Sequence, residues 1–276
     1  MHVSAIIPVK DDSRLLACVA SILGCRDEAT TLEIIVVDDD SGPAFDEHLK
    51  GLPPEVVLMK VPGAGAYAAR NRGIERATGE LLLFTDADCR VHRGWVRASI
   101  EGLQAGAAIV QGHSGSVAND LLARLIQARY EAHLHRVRPG GATECDTRNL
   151  GVRREVFASL KFDEEFRRVG DTEFGLLAES ASFKVAYCPS MRVDHDHDQD
   201  FRLFAAKQVC HGWGAQRLMH ENPSLRWHGG LMRPASLVVE RLSRVPGLRF
   251  GGQMLSAVSI ATAGLLQRFA PHLPFQ

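Results

Sequence analysis

Four short apolar runs, each followed by polar residues, dominate the first ninety residues of the chain. They are VSAIIPV (3–9), LEIIVVDDD (32–40), EVVLMKV (55–61) and LLLFTD (81–86). Runs this rich in Val, Ile and Leu predict strands that are buried on both faces. SRLLACVASILGC (13–25) has apolar residues at helical spacing, and AYAARNRGIERATG (66–79) predicts a helix that ends at Gly79. The alternation predicts an α/β fold: a Rossmann-like, mostly parallel sheet flanked by helices.

The pattern after Trp95 is less regular. WVRASIEGLQAG (95–106) predicts a helix, AAIVQG (107–112) a strand and residues 117–137 a long helix. TEFGLLAESA (172–181) predicts another helix, and FKVAYCPSMRVDHDHD (183–198) predicts one or two strands that end in acids and histidines. Beyond Phe201 the pattern is mostly helical and is interrupted by prolines. We therefore predict a main domain over residues 1–200 and a helical C-terminal appendage over residues 201–276.

Carboxylates follow two of the four predicted strands. Asp38, Asp39 and Asp40 end the second, and Asp86 and Asp88 follow the fourth. The carboxyl ends of parallel strands meet at one edge of a sheet, where ligands bind in such folds, so both clusters are expected in one crevice. Adjacent acids repel each other, and a divalent cation such as Mg²⁺ or Mn²⁺ would relieve that repulsion. A solvated turn or a helix N-cap would explain the Asp86/Asp88 spacing equally well.

GAGAYA (63–68) fits the dinucleotide fingerprint G-x-G-x-x-A and offers a competing interpretation, an NAD-dependent dehydrogenase. Pro62 precedes this turn, two arginines lie on the helix that follows, and two spaced acids stand where ribose binding needs one. The unit is also the third in the chain and follows an acidic strand end that a dehydrogenase does not need. The dehydrogenase remains an alternative, and the missing Gly-Lys-Ser/Thr argues against a phosphate-binding P-loop.

Cysteine usage and charge refine this picture. Six scattered cysteines without C-x-x-C spacing are typical of a reducing compartment, and the first residues read as a strand, so we expect a cytoplasmic protein. Residues 201–276 carry nine Lys/Arg against two acids, whereas residues 1–200 carry 23 basic and 31 acidic residues. The basic segment contains amphipathic patterns whose helices either pack on the core, dimerise or contact the inner face of an anionic membrane peripherally. No nucleic-acid partner is expected.

Three segments together resemble the family 2 glycosyltransferases of GT-A fold. They are VSAIIPVKDDSRLLACVASIL, EIIVVDDDSGP and GAYAARNRGIERATGELLLFTDADC, in that order and spacing. The likeness continues through TRNLGVRREVFASLKFDEEF and GDTEFGLLAESASFKVAYCPSMRVDHDH, and so covers about residues 3–200. The resemblance implies a nucleotide-diphosphate-sugar donor, whether a UDP-, GDP- or dTDP-sugar, and a divalent metal, Mn²⁺ or Mg²⁺.

The resemblance also implies a set of nucleotide-binding residues. Pro8 would form the wall beside the base, and Asp39, with Asp38 next to it, would accept hydrogen bonds from the base or the ribose. Arg70 would approach the nucleotide or its diphosphate, with Asn71 in support.

A second implied set concerns the metal and the chemistry. Asp86 would face the ribose or a metal-bound water, Asp88 would ligate the metal, and His195 would complete metal or diphosphate binding. Asp171 would be the catalytic base, although a helix N-cap is the structural alternative. From its own pattern, Asn149 would either line the donor-sugar or acceptor pocket or cap a turn.

The chain departs from the family pattern at three places. The residues after Val9 are Lys10 and Asp11 instead of Tyr-Asn, which affects base recognition. Gly170 precedes Asp171 where the family often has Glu, although Glu173 follows. The late ligand stays open among three residues, namely Asp194, His195 and His197.

The expected reaction is attack of an acceptor hydroxyl on the anomeric carbon with loss of a nucleoside diphosphate. One base without a covalent nucleophile implies inversion, as the family resemblance suggests. A catalytically weak GT-A-like nucleotide-binding protein is the non-enzymatic alternative. A sugar-phosphate nucleotidyltransferase would need a glycine-rich basic loop near the N-terminus, which IIPVKDDSR lacks. The acceptor stays open among a lipid-linked glycan, a nascent polysaccharide, a peptide and a small metabolite.

Overall fold

A computed structural model describes the chain over residues 1–28, 30–118, 123–124, 126–127, 130, 144–197 and 201–221. The basic helices predicted beyond residue 221, and most of the helix predicted over 117–137, lie outside the described residues. One compact unit draws on the described residues of segments 1–117, 139–166 and 170–196. A second unit draws on those of 118–138, 167–169 and 197–276. The predicted domain boundary at residue 200 stays a prediction.

The first unit contains a mixed sheet, which has eight strands within the described residues. They are β1 (His2–Val9), β2 (Thr31–Asp39), β3 (Val56–Val61), β4 (Leu81–Phe84), β5 (Cys89–Val91), β6 (Ile109–Ser116), β7 (Leu150–Arg153) and β8 (Val185–His195). Its α-helices include α1 (Leu15–Leu23), α2 (Asp46–Lys50), α3 (Ala66–Arg76), α4 (Trp95–Gln104) and α5 (Gly170–Ser180). The second unit includes α6 (Phe201–Glu221).

The strand order is β3-β2-β1-β4-β7-β6-β8-β5. The four strands predicted from the apolar runs are parallel neighbours, with β1 in contact with both β2 and β4. Their carboxyl ends therefore lie along one edge of the sheet. β7 runs antiparallel to β4 and β6, whereas β6 and β8 are parallel, with a bulge between Gly112 and His113. β5 closes the order by antiparallel pairing with β8.

The two faces of the sheet bury different layers. On one face Val3, Ala5 and Ile7 of β1 pack with α1 and α4, where Trp95 is fully buried. On the other face, Ile6 lies opposite Phe84 in the register, and α3 approaches so closely that a Cβ at Gly73 would be 2.5 Å from Ile6 Cγ2. β1, β2 and β4 are thus covered on both sides, which is why their sequences are continuously apolar. β3 lies at the edge of the sheet and its residues Leu58 and Lys60 are exposed, so the predicted burial on both faces is wrong for this strand.

An aromatic cluster completes the second layer. Phe84 meets Phe157 and Phe162 edge to face, and Phe162 lies 4.6 Å, centroid to centroid, from Phe174 at the inner part of α5. Phe84, Phe162 and Phe174 are fully buried. This packing anchors α5 against the sheet and so determines where the first turn of α5 lies. Among the helices of the described part, none has both the length and the apolar character needed to cross a bilayer.

Candidate functional site

The loops that follow the parallel strands are bonded to one another at the carboxyl edge of the sheet. After β1, the Asp11 backbone N–H donates to Ser41 Oγ (2.9 Å), and Asp11 Oδ1 accepts from the Gly42 N–H (2.8 Å). After β3, Gly63 lies so close to Asp40 that an added Cβ would be 3.2 Å from its side chain. The strand ends therefore form one connected rim, as the parallel sheet predicts.

Asp38 and Asp39, at the end of β2, are both buried and make bonds to backbone groups. Asp39 accepts from the backbone N–H groups of Ala64 (2.9 Å) and Gly65 (3.0 Å), and Asp38 accepts from that of Ser41 (3.0 Å). The structure thus uses Asp39 to hold the loop that leads into α3. Its predicted contact with the base or ribose stays a prediction.

The same bonds bear on the dinucleotide-binding alternative. In that motif the backbone N–H groups of the glycine turn point at a pyrophosphate. Here the N–H groups of Ala64 and Gly65 donate to the carboxylate of Asp39. In this loop the N–H groups of the G-x-G-x-x-A pattern that would bind a pyrophosphate are hydrogen-bonded to Asp39 instead. This argues against the dehydrogenase interpretation.

Asp86 forms an ion pair with Arg70, a buried residue of α3. The guanidinium of Arg70 is almost completely buried, while the Asp86 side chain is 30% exposed. Burial in this crevice raises the pKa of Asp86, with the nearby charges of Asp88 and Asp146 adding to the rise and Arg70 opposing it. Acids from both strand ends therefore contact α3. Asp39 holds the loop before this helix, and Asp86 binds the side chain of Arg70 within it.

Asp88 faces two basic side chains from other segments. His195 Nε2 lies 3.1 Å and Arg14 Nη2 3.7 Å from Asp88 Oδ2. His195 reaches this point because β5 pairs with β8, which sets Cys89 opposite His195. Burial disfavours the ionised form of Asp88, but His195, and then Arg14, lower its pKa well below the ordinary value. Asp88 is therefore ionised at neutral pH.

One group of candidate metal ligands occurs in the described part of the chain: Asp88, Cys89 and His195, with ligand atoms within 4.8 Å of one another. Burial raises the pKa of the Cys89 thiol well above its usual value, so this sulfur is protonated and a poor ligand for a hard cation. Asp88 and His195 are then the fitting pair.

The three candidate metal ligands near the end of β8, namely Asp194, His195 and His197, have different surroundings. His195 contacts Asp88, whereas Asp194 Oδ2 lies 2.9 Å from His92 Nε2. His197 is buried and belongs to the second unit. Of the three, His195 is the residue that the geometry favours as a ligand.

Asp171 lies in the first turn of α5 and is held by four hydrogen bonds. Oδ1 accepts from the Tyr67 hydroxyl (3.1 Å) and the Thr172 N–H (3.0 Å), and Oδ2 accepts from the N–H (3.2 Å) and hydroxyl (3.5 Å) of Thr147. Burial raises the pKa of Asp171, and the charge of Asp146 adds to the rise. The carboxylate is thus both fixed in orientation and more basic than an exposed Asp.

Two further charged residues, Asp146 and Arg148, belong to this site although the sequence analysis did not single them out. Asp146 accepts from the backbone N–H and from Nε of Arg148, each at 3.0 Å. Despite burial, Arg148 lowers the pKa of Asp146, and its charge also acts on Asp88. The signal in the sequence was an Asp-x-Arg pair, a pattern too common to be informative by itself.

Three predicted site residues have structural contacts. Pro8 is buried in β1 beside Val37. Asn71 links α3 to the following layer by donating to the Phe162 carbonyl (2.8 Å). Asn149 is fully buried; its Oδ1 accepts from Trp95 Nε1 (2.8 Å) and its Nδ2 donates to the carbonyls of His113 and Met191. The amide of Asn149 therefore cross-links the sheet, and its predicted contact with substrate stays a prediction.

Comparison with known proteins shows which family the chain resembles. The family model described as glycosyl transferase family 2 matches residues 4–161, more than half of the chain. An amylovoran biosynthesis glycosyltransferase of Erwinia amylovora is 27% identical over 66% of this chain and 65% of its own length. A pre-mycofactocin glycosyltransferase of Mycobacterium tuberculosis is 26% identical over 95% of this chain and 62% of its own length. The chain thus spans less than two thirds of the length of these relatives.

Two solved structures share the fold. The crystal structure of GalNAc-T7 with UDP, GalNAc and Mn²⁺ has a TM-score of 0.57 at 17% identity, covering 71% of this chain and 44% of that one. The mannosyltransferase PcManGT from Pyrobaculum calidifontis, in complex with GDP-Man and Mn²⁺, has a TM-score of 0.59 at 14% identity, covering 99% of this chain and 76% of that one. At such identities the likeness is one of fold.

Proposed function

This chain belongs to glycosyl transferase family 2 and has the GT-A fold, and from this we propose that it is an inverting, metal-dependent glycosyltransferase. It would transfer a sugar from a nucleoside-diphosphate sugar to the hydroxyl of an acceptor. The expectation of family and fold drawn from the sequence is confirmed. The activity, the metal dependence and the individual roles are our proposals.

The observation that carries the proposal is the meeting of four carboxylates at one end of the sheet. They are Asp86, Asp88, Asp146 and Asp171, whose charges act on one another or on shared cations. Three guanidinium groups accompany them, those of Arg14, Arg70 and Arg148. Arg14 is also paired with Asp12 at 2.6 Å. The carboxylates therefore outnumber the guanidinium groups and leave an excess of negative charge when His195 is neutral, so the site suits a cation before it suits a diphosphate.

The residues present fit a divalent metal. The carboxylate of Asp88 is ionised, His195 offers an imidazole nitrogen 3.1 Å away, and both side chains keep a small exposed area. Oxygen with one imidazole suits Mn²⁺, and also Mg²⁺ with water and phosphate completing the shell. When bound, such an ion would neutralise the charge that develops on the leaving diphosphate. Asp86 is held beside this pair by Arg70 and would face the ribose or a water in that shell.

Asp171 would act as the general base. Its four hydrogen bonds keep the carboxylate in one orientation, and its raised pKa makes it a stronger acceptor for the proton of the attacking hydroxyl. Arg70, and also Arg148, would bind the negatively charged diphosphate, since a guanidinium forms charge-assisted bonds with phosphate oxygens. A single base with no covalent nucleophile is expected to invert the anomeric configuration.

The donor would be a sugar linked to UDP, GDP or dTDP. The two structural neighbours were solved with UDP and GalNAc, and with GDP-Man, and either base would be compatible with a GT-A fold. We also propose that the basic segment 201–276 contacts anionic membrane surfaces, because its charge is opposite to that of residues 1–200.

The test measures donor binding and donor cleavage separately. Calorimetry with UDP-, GDP- and dTDP-sugars, each with and without Mn²⁺, should find one that binds in a metal-dependent way, and water can replace the unknown acceptor in a cleavage assay. Asp171→Asn should retain donor affinity and lose roughly 10²–10⁴-fold in turnover. Asp46→Asn in α2, whose side chain is 48% exposed, is the matched control and should behave as wild type. Full turnover in Asp171→Asn, or no metal-dependent donor binding, would contradict the proposal.

A further inference from the structure

Tyr67, in the first turn of α3, is enclosed by groups of the candidate site. Its hydroxyl donates to Asp171 Oδ1 (3.1 Å), and the guanidinium carbon of Arg70 lies 5.4 Å from its ring centroid. The ring also packs against Phe162, with centroids 5.8 Å apart, and the side chain is 6% exposed. The ring therefore has one position, and that position directs its hydroxyl at Asp171.

Gly170, the residue before Asp171, makes this position possible. A Cβ built at Gly170 would be 2.8 Å from Tyr67 Cε2 and 3.0 Å from Cδ2. Contacts that short are not tolerated between carbon atoms, so the ring occupies the space that a side chain at position 170 would need. The absence of a side chain at Gly170 and the presence of an aromatic ring at Tyr67 are thus two parts of one arrangement.

We propose that Tyr67 is a positioning residue for Asp171: its hydroxyl fixes the carboxylate and favours its ionised form, and Gly170 provides the space for the ring. The inference rests on the proposed function in so far as Asp171 is the base. Tyr67 touches neither the donor nor the acceptor in this account and acts only through Asp171.

The surroundings of Asp171 determine the direction of the expected effect. Asp146 disfavours its ionised form, whereas Arg70 and the N–H groups of Thr147 and Thr172 favour it. Burial raises the pKa of Tyr67 itself well above its usual value, so its phenol stays protonated and can donate wherever Asp171 titrates. A donor to a carboxylate stabilises the charged form. Loss of the Tyr67 hydroxyl should therefore raise the pKa of Asp171.

The first experiment needs no turnover. The carboxyl carbon of Asp171 is followed by NMR against pH in the full chain with ¹³C-labelled Asp, and Asp171→Asn identifies its signal. In Tyr67→Phe the midpoint should move upward by roughly one pH unit, because a hydrogen bond to a charged group is worth about that much. Tyr187→Phe is the matched control: it removes a hydroxyl that bonds His113 Nδ1 (3.0 Å), and it should leave the midpoint unchanged.

The second variant tests the role of Gly170. Gly170→Ala should displace the ring and raise the Asp171 midpoint in the same direction, and in a Tyr67→Phe background it should add little, since the hydroxyl is already gone. An Asp171 midpoint that is unchanged in Tyr67→Phe would overturn the inference, and so would fully additive shifts.

Activity separates this inference from the proposed function. With donor cleavage as readout, the acid limb of the rate profile should move with the NMR midpoint in Tyr67→Phe. A shifted midpoint without donor cleavage in the wild type would support the positioning role and count against the glycosyltransferase. Donor cleavage by the wild type together with an unshifted midpoint in Tyr67→Phe would support the glycosyltransferase and contradict the positioning role of Tyr67.

Discussion

The two acids after β4 differ in their partners although one residue separates them. Arg70, from the buried face of α3, binds Asp86, whereas His195, from the end of β8, contacts Asp88. The pKa of Asp86 is raised by burial, while that of Asp88 is lowered, against the effect of its burial, by His195. Each of the two negative charges thus has its own partner. The partner of Asp88 is a histidine, which is a residue type that commonly binds metals.

Substitutions at Asp88, His195 and Asp194 should show which of these side chains bind the proposed metal. Mn²⁺ binding, measured by electron paramagnetic resonance with the nucleoside diphosphate that binds, should weaken at least about tenfold in Asp88→Asn and in His195→Gln. Asp194→Asn should have little effect, because Asp194 pairs with His92. An equal loss in Asp194→Asn, or normal binding in Asp88→Asn, would show that this assignment of the ligands is wrong.

At the scale of elements, α3 connects the sheet to the site. The loop before it is held by Asp39, and Tyr67, Arg70 and Asn71 project from one face at i, i+3 and i+4. One turn later, Gly73 lets the helix lie directly on β1. A helix that rests this closely on the sheet restricts the movement of its arginine and tyrosine, as the diphosphate binding proposed above would require.

The close approach at Gly73 predicts a stability change. Gly73→Ala gains about 1 kcal/mol of helix propensity, but the new Cβ would be 2.5 Å from Ile6 Cγ2, and overpacking of this kind costs typically 1–3 kcal/mol. We expect a net loss of about 1 kcal/mol in urea unfolding. Gly24→Ala is the control, since Gly24 has helical dihedrals and 3.4 Å to its nearest neighbour, and it should be neutral or stabilising. Equal stability of both variants would contradict close packing of α3.

At the scale of the whole chain, charge is distributed unevenly. Residues 1–200 carry 23 basic and 31 acidic residues, and residues 201–276 carry nine basic and two acidic ones. In the membrane contact proposed above, the basic segment would be attracted to an anionic surface and the acidic part would be repelled.

Vesicle sedimentation of the full chain tests this. Vesicles rich in phosphatidylglycerol should carry the protein down at low salt and release it as the salt concentration rises, because screening weakens the attraction. Arg241→Glu with Arg244→Glu should reduce the bound fraction, and pure phosphatidylcholine vesicles serve as the neutral control. Failure to bind anionic vesicles at low salt would end the membrane proposal.

Short elements and paired side chains limited what could be predicted from the sequence. β5 has three residues, and β7 contains a glycine and an arginine, so neither carries a hydrophobic period. Both strands are defined by their partners in the sheet. Asp146 and Arg148 were missed for a related reason: a charged pair in a loop acquires meaning only from the groups that surround it.

The amino-acid sequence by itself determined the α/β class, the four parallel strands, the family and the acidic strand ends, because the spacing of apolar residues and the order of residues are local properties of a chain. Only the tertiary structure decided which partner each acid has: Asp39 braces a loop, Arg70 binds Asp86, His195 contacts Asp88 and Tyr67 bonds Asp171. These pairs join residues that are distant in the chain. Their strength depends on burial and distance, and these arise only when the sheet and its helices have come together.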